Sequence, residues 1–262
     1  MSQELLSQAE GPVHRLTLNR PERRNALTPT LARELAEEVD RVEEAGSAQV
    51  ILLTGAGGHF CAGLDLHWLR GLGEVPDTAA LQHGRLEVAQ AVLAIVRSSA
   101  PVIALLRGTA AGFGLDLAVA CDMRIAAEGA TFTSAFARVG LVPDGGSTFT
   151  LPRLIGVGQA LRFLMAGETL DAGRARAIGL VDDVSPDADL DADAARLVKA
   201  LASAAPSSLR TIKRLVRAAE LGALEQTLSS EGAAQIQALR GAEFRDRLLA
   251  FAARGAASAD RS

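Results

Sequence analysis

"QVILLTGAGGHFCAGLDL", residues 49–66, is the stretch on which the fold turns. The apolar run at 50–53 reads as a buried strand, and Thr54-Gly55-Ala56-Gly57-Gly58 behind it suggests a phosphate loop. The spacing argues against that reading. A G-x-G-x-x-G turn begun at Gly55 needs its third glycine at position 60, which holds Phe60. Without that glycine a helix cannot pack closely on the strand. The chain also has no tyrosine, which removes the catalytic residue of a short-chain dehydrogenase. These glycines must serve a different backbone geometry.

Outward from this stretch, strand-like runs at 13–18, 50–53 and 102–106 alternate with helical patterns at 29–45 and 78–97. Further strands are expected at 123–126 and 181–184, and everything after residue 187 reads as helix. The pattern is α/β, with residues 1–195 as a core domain and 196–262 as a helical C-terminal region. Asp187, Asp189, Asp191 and Asp193 suit the N-terminal end of a helix dipole, a structural role. Residues 71–77, with Gly73 and Pro76, read as a loop. On one later helix Arg210, Lys213, Arg214 and Arg217 form a basic stripe opposite Leu209, Ile212 and Val216, expected to be a solvated face.

With 262 residues, 48% hydrophobic and 22% charged, the chain can bury a large core. A net charge of -4 argues against nucleic acid as a partner, which needs a positive surface. Met1-Ser2-Gln3-Glu4 is not a basic segment followed by an apolar one, the apolar stretch at 89–106 is broken by Arg97, Ser98, Ser99 and Pro101, and Cys61 and Cys121 have no disulfide-like spacing, so a reduced cytoplasmic setting without membrane contact is expected. His14, His59, His67 and His83 share no metal-ligand spacing, and no metal is expected. His67, beside Trp68, is a minor candidate for bordering a pocket.

The densest chemistry lies at 101–156, "PVIALLRGTAAGFGLDLAVACDMRIAAEGATFTSAFARVGLVPDGGSTFTLPRLIG". A buried strand at 102–106 leads through Gly108, Gly112 and Gly114 into a helix expected at 115–120, whose first N–H groups have no internal partner. Cys61-Ala62-Gly63-Leu64-Asp65 repeats this plan after the earlier strand. Two such turns can aim two backbone donors at one point, forming an oxyanion hole. Tight turns with glycines for packing are the alternative.

The motifs "RPERRNAL" (20–27), "HFCAGLDL" (59–66), "PVIALLRGTAAGFGLDLAVACDMRIA" (101–126) and "GLVPDGGSTFTLPRLIG" (140–156) resemble, in order and spacing, the crotonase or enoyl-CoA hydratase/isomerase superfamily. The resemblance covers Arg20 to about Gly179. It implies an α/β fold, a spiral of ββα turns with a helical C-terminal trimerisation region, assembled as a homotrimer or homohexamer. It implies an acyl-CoA thioester substrate and no cofactor beyond the coenzyme A that the substrate carries. The oxyanion donors fall on the N–H groups of Leu64 and Phe113. Ala26, Leu27, Ala62, Gly63, Asp65, Leu66 and Gly112 match positions around the substrate, and Arg24 or Arg23 is placed to meet phosphates.

The carboxylates depart from the hydratase pattern. Asp116 occupies the position of the first glutamate, one methylene shorter, and Phe136 stands in place of the second. Asp144, in Val142-Pro143-Asp144-Gly145-Gly146, matches the position from which isomerases of the family project a single acid. A lone base suffices to move a double bond, and burial against Phe113 and Phe136 would raise its pKa toward neutrality. Isomerisation is therefore the expected reaction, with hydration of a 2-enoyl-CoA, or a non-catalytic acyl-CoA-binding relative, as alternatives. Competing structural roles are a helix cap for Asp144, Asp116 or Asp65, and an Asp122–Arg124 ion pair.

Overall fold

The computed structural model describes residues 3–71 and 77–247, so most of the loop expected at 71–77 lies outside the described residues. The chain begins β1 (Leu5–Glu10), β2 (Val13–Leu18), α1 (Pro29–Ala45), β3 (Val50–Gly55), α2 (Leu66–Gly71) and α3 (Thr78–Arg97). It continues β4 (Val102–Leu106), β5 (Thr109–Ala111), α4 (Phe113–Ala120), β6 (Met123–Ala127), β7 (Thr131–Thr133), α5 (Ser147–Ile155) and α6 (Val157–Ala166). Last come β8 (Thr169–Asp171), α7 (Ala172–Ala177), β9 (Asp183–Ser185), α8 (Leu190–Ala202), α9 (Pro206–Ala218) and α10 (Leu221–Arg240).

Six strands form the main sheet in the order β1-β2-β3-β4-β6-β9, antiparallel only at the β1–β2 hairpin. Its central strands are apolar without alternation because both faces are covered. Ile51, Leu53, Val102, Ala104 and Leu106 face the large core shared with α1 and α3. Val50, Leu52, Ile103, Leu105 and Ile125 pack against Leu190, Ala194 and Val198 of α8. After β4 and β6 the chain adds a short strand to a second sheet, β5-β7-β8, before entering a helix. Cys61 joins this plan by bridging Ala110. This is the ββα repeat that the resemblance implies. α4 begins at Phe113 rather than 115, and the last main-sheet strand lies at 183–185 rather than 181–184.

The helix boundaries follow local chemistry. Thr28 accepts the Leu31 N–H at the start of α1, Pro29 occupies the first helical position, and Gly46 ends the helix with φ 65°. The glycines of the opening motif are packing devices: a Cβ on Gly55 would lie 2.1 Å from the His59 carbonyl oxygen, and one on Gly57 2.4 Å from Pro21.

Two sequence expectations are corrected on α9. Its basic stripe is not a solvated face. Lys213 is buried and donates to Asp122 at 2.6 Å and to the carbonyls of Ala100 and Ile95 at 2.9 and 3.2 Å. Arg217 pairs with Asp122 at 2.9 Å and Arg210 with Glu43 at 3.3 Å. Carbonyls at the end of α3 and in the loop after it, with the carboxylates of Asp122 and Glu43, draw Lys213, Arg217 and Arg210 inward, leaving Arg214, Ile212 and Val216 exposed. Asp122 is therefore engaged by α9, and Arg124 pairs instead with Asp182 at 3.0 Å. Replacing one partner of a buried pair leaves the other uncompensated, so Lys213→Met is expected to lower unfolding free energy by about 3 kcal/mol in urea denaturation. An unchanged midpoint would assign α9 docking to its arginines alone.

Candidate active site

The two glycine turns lie side by side. Cys61 N–H donates to the Thr109 carbonyl at 3.0 Å and Ala111 N–H to the Cys61 carbonyl at 3.0 Å, so residues 61–63 and 109–113 run in parallel. Gly63 has φ 98°, and a Cβ there would lie 2.8 Å from the Ala111 oxygen and 3.4 Å from Phe113 N. Gly114 is as constrained, since its Cβ would fall 2.3 Å from the Cys61 oxygen. Only glycine permits this approach.

Leu27 brackets the first turn, donating to the Gly63 oxygen at 2.7 Å and accepting from Asp65 N–H at 2.7 Å. That leaves Leu64 N–H between two bonded neighbours. Among the hydrogen bonds of the described residues, neither Leu64 N–H nor Phe113 N–H donates to a protein acceptor. Phe113 N–H belongs to the first turn of α4, where helical partners are lacking. Both residues line one cavity of about 250 Å³, together with Ala62, Gly63, Leu66, Gly112, Phe136 and Asp144. The rest of the wall is apolar apart from Gln235, with Leu69, Val88, Ala135, Val139, Leu141 and Phe244.

Asp144 is buried, and its carboxyl is pushed up to about 7, first by burial and then by the charge of Glu231. It does not cap α5. The capping position before that helix is Gly146, which has no side chain to cap with, and Glu231 of α10 takes the Gly146 N–H at 2.7 Å and the Thr148 N–H at 2.9 Å.

Asp116 is not on the cavity wall. It is fully buried, with its carboxyl raised well above the usual range by burial, then by Glu231 and Asp144. One oxygen accepts the Gly145 N–H at 3.0 Å and the other has no hydrogen-bond partner. Gly145 must be glycine here: a Cβ would lie 2.5 Å from Asp116 Cβ and 2.8 Å from Phe113 Cε2. Asp116, a candidate for proton transfer at the position where the hydratases carry a glutamate, instead holds the backbone beside Asp144.

The remaining expected site residues divide. Asp65 caps α2, accepting His67 N–H at 2.7 Å and Trp68 N–H at 3.3 Å, and pairs with Arg20 at 2.8 Å. Burial alone would raise its carboxyl, but these donors more than offset that and hold it below the ordinary value. Ala26 and Leu27 are not among the cavity-lining residues, the first accepting an Arg20 bond and the second fully buried. Arg24 is exposed, with its carbonyl accepting Ala62 N–H at 2.9 Å. Arg23 bonds His67 at 2.8 Å on the surface, so His67 does not border the cavity. The Cys61 thiol is buried and pushed up to about 12, which makes it a poor nucleophile.

Three residues went unremarked in the sequence. Asn25, buried with φ 56°, donates to the carbonyls of Ala56 and His59 at 2.8 and 2.7 Å and ties the first turn to the N-terminal segment. A left-handed asparagine after two arginines is a turn signal that can be read locally. Glu231 and Gln235 give no such signal, because their partners are 85 and 93 residues away in sequence.

The fold and these motifs agree with known proteins. A profile of the enoyl-CoA hydratase/isomerase family matches residues 8–258. The chain is 36% identical over 260 residues to 1,2-epoxyphenylacetyl-CoA isomerase of Escherichia coli K12, covering 97% of each chain. A solved enoyl-CoA hydratase/isomerase of Pseudoalteromonas atlantica T6c superposes with TM-score 0.87 at 32% identity, covering 96% of this chain and 98% of that one. A Thermobifida fusca YX structure in complex with acetoacetyl-CoA superposes with TM-score 0.74 at 32% identity, over 86% of this chain and 93% of that one. A family profile spanning nearly the whole sequence, joined to a matching ββα architecture, makes this chain a member of the enoyl-CoA hydratase/isomerase family.

Proposed function

We propose that this protein is an enoyl-CoA isomerase that moves a carbon–carbon double bond within an acyl-CoA thioester. The observation that carries the reading is the composition of the cavity wall. Asp144 is the one carboxylate on it among the described residues, and it shares that wall with Leu64 and Phe113. Phe136 fills the place of a second acid, so the two-carboxylate route to water addition lacks a partner.

In the proposed reaction the Asp144 carboxylate takes a proton from C2 of a 3-enoyl-CoA. The electron pair of that C–H bond moves into a dienolate, whose negative oxygen accepts hydrogen bonds from Leu64 N–H and Phe113 N–H. The thioester carbonyl then re-forms, C4 takes the proton back from Asp144, and a 2-enoyl-CoA results. Each donor aimed at the developing oxyanion contributes roughly 3 kcal/mol. The leucine, valine and phenylalanine wall suits an apolar acyl group and excludes water from the dienolate.

Incubation with 3-hexenoyl-CoA in deuterated water tests this directly. Migration to the 2-enoyl isomer is expected, with some deuterium at C2 or C4. Accumulation of the 3-hydroxyacyl product would replace isomerisation by hydration, and binding without turnover would make the protein an acyl-CoA-binding relative.

We further propose that the active form is a homotrimer or a pair of trimers. Val157, Leu161 and Met165 expose 63, 52 and 73% of their surface along α6, and Ile212, Leu215 and Val216 expose 59, 67 and 65% along α9. Apolar stripes of this kind mark interfaces. Light scattering after gel filtration is expected to give a multiple of three chains for the wild type and a smaller species for Leu215→Glu. A monomeric wild type would overturn the assembly.

A further inference from the structure

We propose that Glu231 and Gln235, one turn apart on α10, are positioning residues that fix where the Asp144 carboxyl projects into the cavity. The inference rests on Asp144 being the base.

The segment that carries Asp144 is gripped at three backbone N–H groups by three side chains. Val142 N–H donates to Gln235 Oε1 at 3.1 Å, Gly145 N–H to Asp116 Oδ2 at 3.0 Å and Gly146 N–H to Glu231 Oε2 at 2.7 Å. Gln235 and Asp144 line the same cavity, and the Gln235 amide favours the charged form of the Asp144 carboxyl. Glu231 gathers Thr148 N–H and the Thr148 hydroxyl as well, so one carboxylate serves as the missing cap of α5. Burying a glutamate and a glutamine on one helix face is costly unless their polar atoms are used. Both are under 10% exposed, at 7 and 3%, and their acceptors go to this segment.

The approach of α10 is itself built in. Gly232 lets Arg85 of α3 cross the helix, since a Cβ there would lie 2.0 Å from Arg85 Cδ, and the same arginine donates to the Leu228 carbonyl at 3.5 Å. The charged and titratable groups facing Asp144 are therefore Glu231 from α10, Arg85 from α3 and Asp116 from α4. Glu231 disfavours the carboxylate of Asp144, whereas Arg85 and the Gln235 amide favour it. A positioning role thus predicts pH shifts of opposite sign for two neighbours on one helix face, which loss of packing alone would not produce.

The test is the pH dependence of double-bond migration in 3-hexenoyl-CoA for full-length wild type, Asp144→Asn, Glu231→Gln and Gln235→Leu. Glu231→Gln is expected to lower kcat by about tenfold or more, the scale of a displaced catalytic group, with KM little changed. Its acid limb should move to lower pH, because burial still favours the protonated Asp144 but the added push of the Glu231 charge is gone. Gln235→Leu should also lower kcat but move the limb to higher pH. If Glu231→Gln does not fold, Thr148→Val removes one donor from Glu231 and is expected to give a smaller shift of the same sign. Full wild-type rates in Asp144→Asn would sink the proposed base, and this inference with it. An Asp144-dependent reaction whose limb stays fixed in both α10 variants would overturn the positioning role alone.

Discussion

Asp144→Asn is expected to remove about 10³-fold of kcat for double-bond migration, the usual weight of a positioned acid–base group, while KM for the acyl-CoA stays near the wild-type value. The asparagine keeps size and burial but cannot accept the C2 proton. In the wild type the rate should fall as pH drops through about 7, where the carboxylate is lost. Stability supplies a second readout. The folded carboxyl sits at about 7 against an ordinary 3.8, so between those values the folded state binds more protons than the unfolded one. Stability then decreases as pH rises through this window. Removing the group lifts a penalty that is absent below this window, builds through it and is complete above it. Calorimetry is expected to show Asp144→Asn melting higher than wild type at pH 8 and without that advantage at pH 4. A variant that keeps its rate, or a melting difference independent of pH, would exclude a buried titrating base at this position.

Gly63→Ala is the second large effect. The new Cβ would lie 2.8 Å from the Ala111 oxygen and 3.4 Å from Phe113 N, with the backbone at φ 98°. To relieve this, the two turns must separate, and the donors on Leu64 and Phe113 no longer converge. Loss of one oxyanion donor removes roughly 3 kcal/mol, about 100-fold in kcat. Gly112→Ala is the control. Its φ is 51° with ψ -128°, yet the nearest atom to an added Cβ is 3.9 Å away, so it is expected to cost about 1–3 kcal/mol of stability through backbone strain and much less rate. Equal kcat values in the two alanine variants would mean that the approach of the turns does not matter to the reaction.

The strands at 13–18 and 102–106 and the helices at 29–45 and 78–97 coincide with the sequence reading because their signals are local. Each is marked by an apolar run or by a period joined to caps such as Thr28 and Asp77. The short strands β5, β7 and β8, three residues each, escaped it because they exist only by pairing with one another. β1 escaped because its exposed pattern, LLSQAE, lacks an apolar alternation. The glycine turns and the acid in the P-D-G-G segment were visible as motifs. Whether Asp116 met the cavity was not, since a helix face names a direction and not what lies in front of it; Asp116 is fully buried and is not among the cavity-lining residues.

The same boundary runs through the whole molecule. Family, fold class and the backbone positions of the two donors are carried by residues close together in the chain, where hydrogen-bond geometry and apolar spacing act over a few positions. The inward turn of the α9 charges, the capping of α5 by Glu231 and the grip of Gln235 on the Asp144 segment join residues 83 or more apart. Those partnerships are chosen by which buried donors and charges need satisfying once the layers have packed, a demand that arises only in three dimensions.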